Sequence, residues 1–199
     1  IRNAAVLAER VAEIAQQIAP QANLKVINRL FIRDDESVRR SGGTPTAGGT
    51  EVAGAYTDVD NMIRVALSMD DPTITVRHET VHHLKAMGLF TAAEWKVLEA
   101  QARSTWMDAF KVPDAEEAIA YAFQGFHNGK AAPTGVIRRA FNKISEFLRR
   151  LGNALRGMGF QTWEDVFERV DTGQAGRRPI DLLTASTGAR VSASMGSRQ

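Results

Sequence analysis

The chain has 199 residues, 44% of them hydrophobic and 24% charged, enough for one ordinary core and an appended segment. It has no cysteine, which excludes disulfide scaffolds, thiolate zinc fingers, iron–sulfur clusters and a cysteine nucleophile, so any metal must sit on His, Asp or Glu. The net charge of +2 conceals an asymmetry: residues 1–129 carry 13 basic and 17 acidic side chains, whereas residues 130–199 carry 12 and 6.

From Asn3 to Ile18, the residues Val6, Val11, Ile14 and Ile18 recur near helical spacing among alanines, and Pro20 marks where that helix has ended. Leu24 to Ile32 is β-branched and mostly apolar at period two, which predicts one strand. Asp34 to Thr50, with its DDE, RR, SGG and TPT runs, predicts an exposed and mobile loop. Gly54–Val59 and Met62–Leu67 flank Asp60 and Asn61 and predict a hairpin.

Asp70, Asp71 and Pro72 punctuate the chain before a helix from Thr73 to Ala86, with Gly88 as its stop. Thr91 and Glu94 form a capping box for the next helix, and Pro113 and Asp114 open a third, ending near Asn128 and Gly129. Residues 134–156 predict a basic amphipathic helix, with Phe141 and Phe147 in its apolar stripe and Arg138, Arg139, Lys143, Arg149 and Arg150 opposite. A short helix capped by Thr162 follows. Residues 174–199, rich in Gly, Ser, Thr and Arg, predict a disordered tail or interdomain linker, leaving residues 1–173 as the folded domain.

The chemistry-bearing segment is His78-Glu79-Thr80-Val81-His82, an HExxH motif. On a helix, positions i and i+4 project from one face, so the two imidazoles can converge on a single cation. Glu79 follows the first ligand, where its carboxylate can act as general base on a water acidified by Zn2+. A catalytic site needs a third protein ligand, and Glu116 or Glu117, two carboxylates in the small, apolar run EEAIAYAF, can supply it.

HETVHH followed by Glu117-Ala118-Ile119-Ala120 resembles the gluzincin pattern, an HExxH motif with a distant ExxA glutamate. It departs from the metzincin pattern, which would need Gly at position 85 and His at 88, where this chain has Lys85 and Gly88. The resemblance implies His78, His82 and Glu117 as zinc ligands and Glu79 as base. The stretches GAYTDVDNMIRVAL, RHETVHHLKAMGLFTAAEWKVL, DAEEAIAYAF and GMGFQTWEDVFERVDTGQAGRR are also similar to zincin-like metallopeptidase domains embedded in large polyvalent proteins of phages and conjugative elements. That implies an α+β, mostly helical zincin-like fold with a small mixed sheet, a polypeptide substrate, and Met62–Leu67 as an edge strand that pairs with it.

Other residues have competing readings. His83 points about 100° away from His82 and is expected at the surface or behind a ligand. Tyr121 and His127 are candidate hydrogen-bond donors to a tetrahedral oxyanion, with core packing and a helix-end role as their plainer readings. Asp108 or Asp114 could orient an imidazole. The arginines of 134–156 are better read as solvated than as a nucleic-acid or membrane surface.

The expectation is a zinc peptidase processing its own parent polyprotein or a host protein, with a nucleic-acid- or membrane-associated module carrying a vestigial zinc site as the alternative. No apolar run approaches the roughly 18 residues of a membrane span and no secretory pattern opens the chain, so a cytoplasmic protein is expected, after delivery into a bacterial host where the polyvalent resemblance holds. The opening residue Ile1 predicts a piece of a longer protein.

Overall fold

The structure is a computed structural model describing residues 2–69, 71–126, 149–150, 153–180 and 191–195. It is an α+β fold with a small mixed sheet. Helix α1 (Arg2–Ile18) buries Val11, Ala15 and Ile18 against the rest of the protein, while Val6, counted in its apolar stripe, is 63% exposed.

Leu24–Ile32 is two strands. β1 (Asn23–Ile27) pairs in parallel with β5 (Met62–Ala66), and β2 (Leu30–Ile32) turns away into an antiparallel ribbon with β3 (Thr50–Val52). The break falls at Asn28 and Arg29, where Arg29 forms a bidentate pair with Glu51 at 2.8 and 2.7 Å.

The predicted mobile loop contains a helix, α2 (Asp35–Arg40). Asp34 caps it, accepting from the amides of Glu36 and Ser37, and Val38, Ser37 and Ser41 are buried. A single apolar side chain and one cap thus anchor a segment whose composition reads as exposed.

The hairpin forms as expected from β4 (Gly54–Thr57) and β5, with Asn61 in the left-handed region at φ 49°. The sheet order is β1-β5-β4-β6, where β6 (Val191–Ser194) pairs antiparallel with β4. Two expectations are corrected here. Met62–Leu67 is not an edge strand, because β1 occupies its outer side. The described part of residues 174–199 is not a free tail: β6 adds the outer strand of the sheet, Ala175 is buried, and Arg178 binds Glu94 at 2.8 Å and the Leu89 carbonyl at 2.9 Å.

Helix α3 (Pro72–Ala86) starts at its predicted punctuation, with Asp71 accepting from the Thr73 amide at 2.9 Å and Pro72 in the first turn, and Gly88 follows its end at φ 66°. α4 (Ala92–Gln101) has the predicted capping box, Thr91 and Glu94 satisfying each other's amides at 2.9 and 3.2 Å. It continues through a π-helical stretch, Ala102–Trp106, into α5 (Met107–Phe110). α6 (Ala115–Phe126) and α7 (Trp163–Asp171), the latter capped by Thr162, follow.

One cluster of side chains joins α3, α4, α6 and α7 around Leu84, Leu98, Ile119, Phe123 and Phe167. A second packs α1 and α3 on the sheet through Val11, Tyr56, Ile63, Val65 and Val76. α3 therefore lies between the helical and sheet halves, which explains why nearly all of it is buried and why it lacks one apolar face.

Most of residues 134–156 lies outside the described residues. Of its arginines, Arg149 pairs with Glu164 at 2.7 Å and stays exposed, and the partly exposed Arg150 pairs with Asp165 at 2.6 Å, so both reach α7 from the solvent side. Among the described residues, no helix is long and apolar enough to cross a membrane.

Candidate metal centre

His78 and His82 stand one turn apart on α3, on the side facing α6. Asp114 accepts hydrogen bonds from the amides of Glu116 and Glu117 at 2.8 and 3.3 Å, so it caps α6 and fixes where both glutamates begin. Of the two candidates to orient an imidazole, Asp114 is thus occupied with the helix start and Asp108 is exposed on α5.

The Nε2 atoms of His78 and His82 are 3.3 Å apart. Glu117 closes the triangle, with one oxygen 3.3 Å from His78 Nε2 and the other 3.5 Å from His82 Nε2. All three side chains are buried, and as a group they could hold a metal ion. Of the two candidate glutamates, Glu117 is the one that joins both imidazoles.

The outward ring nitrogens are held from behind. His82 Nδ1 lies 2.8 Å from Glu116 Oε1, and His78 Nδ1 lies 3.2 Å from Gln124 Oε1. Each acceptor favours the Nδ1–H tautomer and turns the Nε2 lone pair inward. Two such lone pairs at this separation repel unless a proton or a cation lies between them. Burial drives the His78 pKa down. Burial acts on His82 in the same direction, but Glu117 and then Glu116 outweigh it and push its pKa up. The cavity thus favours one positive charge between its imidazoles.

Glu79 lies on another side of α3, against β4 and β6. Both of its oxygens are buried, and burial raises its pKa to about 8. The hydroxyl and main chain of Ser194 only partly favour its charged form. β4 reaches Glu79 because residue 54 is glycine: a Cβ there would sit 2.5 Å from Thr75 Cγ2 and 2.9 Å from Glu79 Oε1.

Tyr121 packs its ring edge-on to His78, centroids 4.6 Å apart, and also against Phe110. His83 is fully buried instead of at the surface. Its Nδ1 is 2.8 Å from Asn61 Oδ1, its ring meets Tyr56 edge-on, and burial lowers its pKa to about 4. It ties α3 to the hairpin turn. His127 lies outside the described residues.

Sequence reasoning missed the roles of Glu116, Gln124, Gly54 and Ser194. For Gln124 a signal was present: Glu117, Tyr121 and Gln124 follow i, i+4, i+7 on α6, so a residue on the ligand's own stripe was a natural support for an imidazole. Comparison with protein-family models, curated proteins and solved structures found no match, so the site rests on its own geometry.

Proposed function

We propose that the chain is a zinc-dependent peptidase of the zincin type, with His78, His82 and Glu117 as ligands and Glu79 as general base. The observation that carries this reading is the spacing of the donors. Four-coordinate zinc with bonds of about 2.0–2.1 Å to nitrogen and oxygen separates neighbouring donor atoms by about 3.4 Å. The two imidazole nitrogens are 3.3 Å apart, and Glu117 sets one oxygen 3.3 Å from His78 Nε2 and its other oxygen 3.5 Å from His82 Nε2, so the carboxylate spans the pair at close to that spacing. The charge-seeking character of the pocket and the two supported imidazoles agree with that assignment.

Zinc held there would supply a Lewis acid that acidifies a water and polarises a scissile carbonyl. Glu116 and Gln124 keep the imidazoles oriented. Glu79, buried next in sequence to the ligand His78, is the group that accepts a proton during attack and returns it to the leaving amine once a bound cation favours its charged form. Tyr121, beside His78, is the candidate donor to the developing oxyanion. The substrate is a polypeptide, with the parent chain or a host protein as the source.

Metal analysis with a peptide-library assay tests this. The purified chain should carry one zinc and lose it in His78→Ala. Glu79→Gln should keep the zinc while hydrolysis falls on the order of 10²–10⁴-fold. A chain that takes up no zinc, or a Glu79→Gln variant as active as the parent, would falsify the proposal. If the substrate is the parent protein, that protein should accumulate uncut in the Glu79→Gln background.

A further inference from the structure

We infer that Val191–Ser194 is the resident occupant of a peptide groove along β4, so that a substrate strand with small side chains beside Glu79 enters only when this segment leaves. The inference deepens the peptidase reading and rests on it for the word substrate; the groove and its occupant stand on the observations below.

β6 is the outermost strand of the order β1-β5-β4-β6, so its departure would turn β4 into an open edge. It pairs antiparallel with β4 in the register Gly54–Ser194, Ala55–Ala193 and Tyr56–Ser192. Side chains alternate across a strand, so Ser192 and Ser194 share the face of Tyr56 and Gly54, toward α3, and Ala193 shares the face of Ala55. Ser194 consequently lies beside the fully buried carboxylate of Glu79.

With β6 present, His78 and Glu79 are 0% exposed and His82 is 1% exposed, so no peptide carbonyl reaches them. β6 carries none of the ligands and covers the Glu79 side of α3, so its departure would open that side without moving them. It contributes little apolar surface, only Ser, Ala and Ser in its described side chains, and it is retained mainly by main-chain pairing that an incoming strand would replace. α2 forms the far wall. The Ser41 hydroxyl donates to the Ala193 carbonyl, and the Met195 side chain occupies the space that a Cβ on Gly43 would take. The limited room between α2, β4 and α3 fits small side chains, as β6 itself supplies.

The test uses a fluorescein-labelled peptide of residues 191–195 as probe. A chain ending at residue 190 should bind it at least tenfold more tightly than the full chain. Because truncation removes the buried Ala193, a second variant decides the matter independently. Ala55 and Ala193 are direct cross-strand partners in a protein with no cysteine, so Ala55→Cys with Ala193→Cys can be crosslinked. The oxidised form should capture no peptide, and reduction should restore capture to the level of the full chain. Equal capture by oxidised and reduced forms, including none by either, overturns the inference. Zinc content of the same chains separates the two proposals. Capture that responds to the crosslink in a protein that takes up no zinc removes the peptidase reading and leaves the groove. Zinc-dependent hydrolysis that ignores the crosslink does the reverse.

Discussion

Glu116 and Glu117 are chain neighbours with different partners. Glu117 meets both Nε2 atoms, whereas Glu116 meets His82 at Nδ1. A residue that supports a ligand from behind typically changes metal affinity by about 10–100-fold. Glu116→Gln should therefore weaken zinc binding within that range, and Glu117→Gln should weaken it more, because a direct donor is lost. Competition titration against a chelator measures both, and equal effects would contradict the assignment. The motif spacing on α3 was legible in the sequence because i and i+4 share a helix face whatever the fold. The choice between the two glutamates was not, since adjacent residues on α6 differ by about 100° and only the packing of α6 on α3 decides which one faces inward. His83 shows the converse. Its angle from His82 is as the helix period gives it, but that angle leads to Asn61 and the buried Tyr56 and not to solvent.

Among the elements, the helices with local start signals were readable: Asp71-Pro72, Thr91 with Glu94, and Thr162 each satisfy amides within their own first turn. β6 was not, because a Val-Ser-Ala-Ser segment is ordered by partners far away in sequence on β4, and burial of small side chains leaves no hydrophobic period. The contact of β4 with α3 is equally tight. Gly54→Ala would place a methyl 2.5 Å from Thr75 Cγ2 and against Glu79, an overpacking that costs about 1–3 kcal/mol. Chemical denaturation should report that loss, and Thr75→Ser, which removes the clashing methyl, should recover part of it. Glu94 links α4 to α7 through Arg169 at 2.7 Å and to the segment after α7 through Arg178 at 2.8 Å. Burial raises its pKa, but the Arg178 hydrogen bonds, the Thr91 amide and the two positive charges outweigh this and lower it to about 2. A carboxylate lowered on folding contributes stability above its ordinary pKa of 4.5 and loses it as the pH falls toward 2. Glu94→Gln should cost ~2–3 kcal/mol near neutrality and flatten the stability profile in that acid window, measured by urea unfolding at several pH values.

At the scale of the whole molecule, α3 holds the helical and sheet halves together: Val76 belongs to the sheet-side cluster, and Val81 and Leu84 belong to the helical one. The buried Arg77–Asp171 pair adds α7 to the same helix. The centre of this joint is also its most charged part, with two imidazoles and the Glu79 and Glu117 carboxylates all under 5% exposed. Desolvating that many polar groups opposes folding unless a cation compensates them. An ion that binds the folded chain but not the unfolded one stabilises it by mass action, about 2.7 kcal/mol at a free concentration of 100 Kd. For a protein of this size that corresponds to roughly 5–10 °C in Tm. Scanning calorimetry should show a rise of that order when zinc replaces chelator, and none in His82→Ala. Because the ligands come from α3 and α6, on opposite sides of one interface, bound zinc should also slow amide exchange in both helices together. Protection gained in only one of them would mean that the ion does not bridge α3 and α6.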